Sequence, residues 1–292
     1  MKRWALGLLL LLTSWSLSLA AQPGPPSASE AFVTNPSSGA SLFVKIYTSS
    51  QGRTEKYPVL VLIPGGRGAG SQSFPPPQAQ RYADLGFLTI VFDPDGRGRS
   101  SGTENDNGYI GQDGLKAVIE YAVGLSGSDG RVVLASFSYG VTMATGVLAR
   151  YPELPVVFYA DWEGPADRND TGGCDGSGLG HLKDTGCTNE AFWSEREATT
   201  FIKKIDVPYQ RIQSAKDHVQ PDNNHALLLV NDATSTTFGG KGRSPWTRLN
   251  DEAPNRIYTA SDQPHWLPEG ARTDEIVTPY LGQFLKGAIP TT

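Results

Sequence analysis

A serine at the junction of a β-branched apolar run and a helical pattern is the part of this chain best placed to do chemistry. Arg131-Val-Val-Leu-Ala135 leads into Ser136-Phe137-Ser138-Tyr139-Gly140, after which Val141, Ala144, Val147 and Leu148 recur at helical spacing. Strand, tight turn and helix put Ser138 at the apex of an elbow. A serine hydroxyl is a poor nucleophile at neutral pH, so an enzyme using one must expose it, supply a base and place N–H groups where the oxyanion forms. The elbow meets the first and last needs: it holds the side chain out and aims the N–H of Tyr139 at the reacting oxygen. Ser138 is the expected nucleophile, and Tyr139 N–H one expected oxyanion donor. A second donor is expected from Pro64-Gly65-Gly66-Arg67-Gly68-Ala69-Gly70-Ser71, at Gly66 or Arg67. No Gly-Lys-Ser/Thr ending follows these glycines, which disfavours a phosphate cradle.

The base must be an imidazole, and the chain has His181, His218, His225 and His265. His265, in Asp262-Gln263-Pro264-His265-Trp266-Leu267, follows the last apolar run and is the expected base. His181 lies between two cysteines, His225 opens a helical pattern, and His218 adjoins the expected acid and is expected to point away from it. That acid is Asp217, in Ser214-Ala215-Lys216-Asp217-His218-Val219-Gln220-Pro221, which would hold the imidazole tautomer. Asp161 and Glu163, in Tyr159-Ala160-Asp161-Trp162-Glu163-Gly164, compete for the role, and the choice between strand ends is open. With Asp217 as acid, Trp162 and Glu163 are expected to line the acyl pocket, and Trp266 is a further expected substrate-pocket residue.

These groups need a scaffold that gathers strand ends. Strands are expected at Leu42 to Tyr47, Val59 to Ile63, Phe87 to Phe92, Val132 to Ala135, Val156 to Tyr159, Tyr209 to Ile212 and Arg256 to Thr259. Helical patterns lie near 78–85, 112–125, 139–150, 190–204 and 223–231, with a last helix capped by Thr278 and opened by Pro279. Near-continuous apolar strands alternating with helices imply an α/β fold: a mostly parallel central sheet with helices on both faces. Functional groups then collect at the carboxyl ends of the strands. Asp93-Pro94-Asp95-Gly96-Arg97-Gly98-Arg99-Ser100 is read as a structural loop beside the site, its arginines pairing with Asp95 or facing solvent.

The order Ser138, Asp217, His265, with the glycine loop upstream, resembles the α/β-hydrolase superfamily from about residue 40 to the end. The Asp93-x-x-Gly96-x-Gly98-x-Ser100 loop is similar to that of dienelactone-hydrolase-like and prolyl-peptidase-like branches. The resemblance implies attack by Ser138, proton transfer through His265, an acyl-enzyme and its hydrolysis. Two departures stand out: Ser136 where the elbow usually has glycine, and Pro64 where a histidine often precedes the oxyanion glycines. The function expected is carboxylic-ester hydrolysis, on small esters or an acylated polymer, without metal or cofactor. A serine peptidase or amidase is the rival enzyme, and a non-catalytic binding module the rival from another class.

Lys2-Arg3, an apolar run from Trp4 to Leu12 and small residues through Ala21 read as a signal peptide over residues 1–21. Residues 22–292 are then expected to form one domain, with the Pro/Ser-rich residues 22–30 as a flexible leader into it, secreted to the periplasm or the extracellular space without stable membrane association. The 292 residues carry 25 Lys and Arg against 30 Asp and Glu, a net charge of −5; without Lys2 and Arg3 the balance is 23 against 30, which disfavours nucleic acid. Cys174 and Cys187, the two cysteines, are expected to close a disulfide across a glycine-rich insertion, residues 161–189. Asp167-x-Asn169-x-Thr171 there resembles the start of a calcium loop, but Gly178 stands where the closing glutamate would be. Asn169-Asp170-Thr171 is a glycosylation sequon.

Overall fold

A computed structural model of the chain describes residues 27–52, 55–177, 181–269 and 273–290. The expected signal peptide lies outside these residues, as does the side chain of His181. Eight strands form one sheet: β1 (Ser27–Thr34), β2 (Ser41–Thr48), β3 (Tyr57–Ile63), β4 (Leu88–Phe92), β5 (Ser128–Phe137), β6 (Val156–Trp162), β7 (Tyr209–Ile212) and β8 (Thr247–Leu249). Their order is β1-β2-β4-β3-β5-β6-β7-β8. The first two pairings, β1 with β2 and β2 with β4, are antiparallel, and every later pairing is parallel. The helices are α1 (Gly70–Ser73), α2 (Pro76–Leu85), α3 (Tyr109–Val123), α4 (Gly140–Arg150), α5 (His181–Asp184), α6 (Glu190–Trp193), α7 (Ala198–Phe201), α8 (Asn224–Ala233) and α9 (Thr273–Leu285).

Alternation along β3 shows why its run is apolar throughout. Val59, Val61 and Ile63 belong to one buried cluster with Leu115 and Val118 of α3 and Val141 and Val147 of α4, which extends to Leu229 of α8. Leu60 and Leu62 face the other way, into a second buried cluster that includes Tyr82 of α2 and Tyr280, Leu281 and Phe284 of α9. Both faces are covered, so each such side chain contributes roughly 1.5–3 kcal/mol of burial.

The structure corrects four expectations. Arg256 to Thr259 is loop; the strand at that edge is β8, a three-residue piece paired with β7. The leading segment from Ser27 is a strand, hairpin-paired to β2 through a turn in which Asn35 N–H donates to Ala40 O (2.8 Å). The last helix starts at Thr273, not Thr278, and Pro279 sits inside it on the exposed side while its buried neighbours anchor the turn. The pattern at 190–204 is broken into α6, α7 and a 3₁₀ turn at Ile202–Lys204. There, buried Arg196 donates to Asn105 O (3.1 Å) and Phe192 O (2.9 Å), which pulls the chain aside.

The loop after β4 is structural, as read. Asp93 is fully buried and accepts from Ser71 N–H (2.8 Å), the Ser71 hydroxyl (2.9 Å) and Arg99 N–H (2.9 Å). Its arginines do not pair with Asp95: Arg97 bonds Glu104 at 2.5 and 2.8 Å, and Arg99 reaches Glu30 at 2.8 Å. Cys174 and Cys187 form the expected disulfide.

Candidate active site

Ser138 leaves β5 in the left-handed region, φ +52°, a conformation that a non-glycine residue adopts only when its surroundings enforce it. Its N–H donates to Trp162 O (2.8 Å), and its carbonyl accepts the Val141 N–H that starts α4 (3.0 Å). The glycine loop is jammed against this elbow: a Cβ on Gly65 would meet Phe137 O at 2.5 Å and the Ser138 Cβ at 2.7 Å. Gly140 is equally confined, since a Cβ there would lie 2.9 Å from the carbonyls of Ile63 and Pro64. Gly66 (φ +52°) turns the loop, closed by Gly68 N–H on Gly65 O at 3.0 Å. Among the described residues, the N–H groups of Gly66, Arg67 and Tyr139 have no acceptor. The Tyr139 ring is buried, and desolvation lifts its phenol far above the ordinary range, so it stays neutral.

Asp217 lies beyond β7 as expected, but the histidine against it is His218 rather than His265. The Asp217 side chain is buried; Oδ1 accepts Val219 N–H and Gln220 N–H, each at 2.8 Å, and Oδ2 accepts from Gln213 Nε2 at 2.9 Å. These bonds curl residues 217–220 into a turn. His218 therefore does not point away: its Nδ1 lies 3.3 Å from Asp217 Oδ1 and 2.9 Å from Glu163 Oε2. His225, at the start of α8, approaches from the other side, its Nε2 3.3 Å from Asp217 Oδ2. His265 is exposed; its N–H donates to Glu252 (2.9 Å), its carbonyl accepts from Asn250 (2.7 Å), and its imidazole has no partner among the described residues.

Glu163 holds the same imidazole from β6. It too is left-handed, at φ +49°, and buried; its Oε1 accepts from Ser214 N–H (3.1 Å) and the Ser214 hydroxyl, and its Oε2 from His218 N–H (3.1 Å) as well as Nδ1. Burial raises the carboxyl pKa, but the bonds from His218 and Ser214 outweigh it, and Glu163 is shifted down. Burial likewise works against charge on His218, yet Asp217 and Glu163 raise its pKa to about 9. For Asp217, desolvation is overcome by His218, His225 and Gln213, which hold the carboxyl far below the usual range.

Trp162 joins this cluster to the nucleophile. Its carbonyl takes the Ser138 N–H, while its indole lies tilted against the His218 ring, centroids 4.5 Å apart, and against Phe137 at 6.2 Å. The Ser138 hydroxyl has no hydrogen-bond partner among the described residues, an arrangement that commonly tightens only with substrate bound. Trp266 lies on a neighbouring cavity of about 510 Å³ that it lines with Lys216, Asp217, Asp222 and Gln263. Asp161 is withdrawn from the contest for the acid: it is fully buried and ion-paired with Arg211 Nη1 at 2.5 Å.

Glu163, Asp217 and His218 bring ligand atoms within 4.8 Å of one another, close enough to hold a cation. Their carboxylate oxygens already accept from Ser214, Gln213, Val219, Gln220 and His218, so the cluster is satisfied as a carboxylate–imidazole network.

A serine on a strained strand-to-helix elbow of a mostly parallel, helix-covered sheet, with glycine amides beside it, defines a hydrolase of the α/β-hydrolase fold. The chain belongs to the X-Pro dipeptidyl-peptidase (S15) family, whose model matches residues 38–185. No curated protein matches it. Among solved structures it is similar to an esterase of Pyrococcus furiosus, at 15% identity over 90% of this chain and 93% of that one, TM-score 0.63. It is also similar to acetyl xylan esterase 1 of Thermoanaerobacterium, at 14% identity over 92% and 86%, TM-score 0.65. A dipeptidyl aminopeptidase IV-like protein of Bacteroides ovatus matches at 17% identity over 88% of this chain and 36% of its own, TM-score 0.64.

Proposed function

We propose that the protein is an exported serine hydrolase that cleaves carboxylic esters through an acyl-enzyme on Ser138. The observation that carries this reading is the left-handed Ser138 beside the Gly65 backbone, with an imidazole held by two carboxylates one tryptophan away. The base is His218, in place of the His265 expected from the sequence. Its Nδ1–H is held by Glu163 and Asp217, which leaves Nε2 to take the Ser138 proton during attack and return it to the leaving alcohol. Tyr139 N–H and an N–H of Gly66 or Arg67 receive the developing oxyanion. Water then repeats the sequence on the acyl-enzyme. Support for an ester comes from the esterases among the similar structures; support for export comes from the Lys2-Arg3 leader pattern and the disulfide. The partner is a small ester or an acylated polymer, and the chain's negative balance disfavours nucleic acid.

The family match favours one second reading, a serine peptidase acting after proline with the same residues. Parallel kinetics on p-nitrophenyl acyl esters and on X-Pro p-nitroanilides decide between them. The esters are expected to dominate in kcat/KM; a preference for the anilides by an order of magnitude or more would reassign the protein to peptide hydrolysis. Binding of a partner that survives Ser138→Ala, with no turnover of either substrate, would assign a non-catalytic module.

A further inference from the structure

Ser136 departs from the glycine usual at its place in the elbow, and the structure gives that hydroxyl a destination. It donates to Asp161 Oδ1 (3.1 Å) and, with its proton committed there, accepts from the Tyr159 hydroxyl (2.7 Å). Asp161 Oδ2 accepts from the Tyr209 hydroxyl (3.0 Å) and from Arg211 Nη1 (2.5 Å). Arg211 Nη2 donates to Gln213 Oε1 (2.5 Å), and Gln213 Nε2 donates to Asp217 Oδ2 (2.9 Å). Every link has a defined donor and acceptor. Ser136, Asp161 and Arg211 are direct cross-strand partners on β5, β6 and β7, so the chain runs straight across the sheet, two residues below the nucleophile. None of Ser136, Asp161, Arg211 and Gln213 is more than 1% exposed.

We propose that Ser136, Asp161, Arg211 and Gln213 are positioning residues: one buried chain of hydrogen bonds and an ion pair that ties the nucleophile elbow to the carboxylate facing the base. The proposal rests on the reading of Ser138 and His218 given above. Main-chain ladders already fix the register of these three strands, so the side-chain chain is not needed for pairing. A buried ion pair is also a weak source of stability, since apolar residues of similar volume commonly do as well or better. What the chain supplies is a fixed place for Asp217, and through it for the His218 ring. The charged and titratable groups around it are Asp161, Arg211, Asp217, Glu163, His218 and the Tyr159 and Tyr209 hydroxyls. His225 flanks it as well, its Nδ1 3.1 Å from Arg211 Nη2 and its Nε2 3.3 Å from Asp217 Oδ2, and beyond it lies Asp170, whose carboxyl is raised by burial against the pull of His225.

The test uses Gln213→Met, which keeps volume and removes the bridge, and Ser136→Gly, which touches neither His218 nor Asp217 and restores the residue that elbows usually carry. Two readouts are taken on the full mature chain: kcat and KM for p-nitrophenyl acetate across pH, and the NMR titration of the His218 imidazole. Gln213→Met is expected to lower kcat on the order of tenfold with KM within about twofold, the pattern of lost alignment rather than lost binding. Its His218 midpoint is expected to move alkaline, because Asp217, relieved of one donor, accepts more strongly from His218. Ser136→Gly is expected to lower kcat by roughly two- to fivefold in the same pattern. A lowered Tm with kcat and the His218 midpoint unchanged in both variants overturns the proposal and makes the chain purely structural. A wild type inactive on esters would sink the functional reading instead. The NMR midpoint would then decide the proposal alone: displaced in Gln213→Met it stands as a coupling between strand and imidazole, unmoved it fails.

Discussion

If His218 is the base, activity must follow its neutral form, and the structure moves that form to high pH. Asp217 and Glu163 outweigh burial and raise its pKa to about 9. About 1% of the imidazole is then neutral at pH 7 and about half at pH 9, so kcat/KM should climb roughly 50-fold between them; a base at the ordinary value near 6.5 would give only about a 1.3-fold rise. Glu163→Gln removes one of the two carboxylates. Hydrogen bonds to a charged group are worth roughly 1.5–3 kcal/mol, and 1.36 kcal/mol corresponds to one pKa unit, so the midpoint should fall by about one to two units. The plateau should fall too, because the ring is less well held. The assay is stopped-flow hydrolysis of a p-nitrophenyl ester from pH 5 to 10, corrected for spontaneous hydrolysis. Stability runs the opposite way: a folded-state pKa raised above the unfolded value contributes fully below about pH 6.5 and is lost as pH rises through about 9. A limb centred near 6.5, or one indifferent to Glu163→Gln, would refute His218 as base.

Four further outcomes are expected. His218→Ala should lower kcat by roughly 10³-fold or more, whereas His265→Ala should stay within about twofold, measured on the same ester. Gly65→Ala drives a methyl onto Phe137 O (2.5 Å) and the Ser138 Cβ (2.7 Å), so it should cost turnover by about two orders of magnitude while circular dichroism shows the fold kept. Arg211→Met leaves Asp161 as an unpaired buried charge and should cost about 3–5 kcal/mol in urea unfolding, most of it recovered in Arg211→Met with Asp161→Leu. Cys174→Ala with Cys187→Ala opens a loop of 13-residue separation and should lower stability by up to about 3 kcal/mol, read by denaturation, with the ester kinetics retained.

The elbow, the sheet and most of its helices were legible because burial on both faces writes continuous apolar strands, and because only small residues fit where Gly140 meets β3. Less legible were elements without such patterning. β8 is three residues long and interrupted by Arg248, while the apolar Ile257-Tyr258 pair nearby forms no strand. β1 is an edge strand with Phe32 exposed, and its composition reads as a leader. That His218 faces Asp217 was missed for a local reason. Alternation would send His218 away from Asp217, but Asp217 accepts the N–H groups two and three residues ahead, and the resulting turn brings both side chains to one side. Glu163 was named as a competitor, yet its left-handed backbone, which lets it reach Ser214 and His218 together, has no mark in the residue types. Ser136 was visible as a departure, while Arg211, which pairs with the Asp161 that Ser136 reaches, lies inside a buried strand and was not.

Acylation of Ser138 is read out by treating the protein with a fluorophosphonate and mapping the adduct by peptide mass spectrometry. A stoichiometric adduct is expected on the peptide bearing Ser138, absent in Ser138→Ala, with ester turnover lost in step with labelling. Full ester turnover in a protein that takes no adduct at Ser138, or in Ser138→Ala itself, would contradict it.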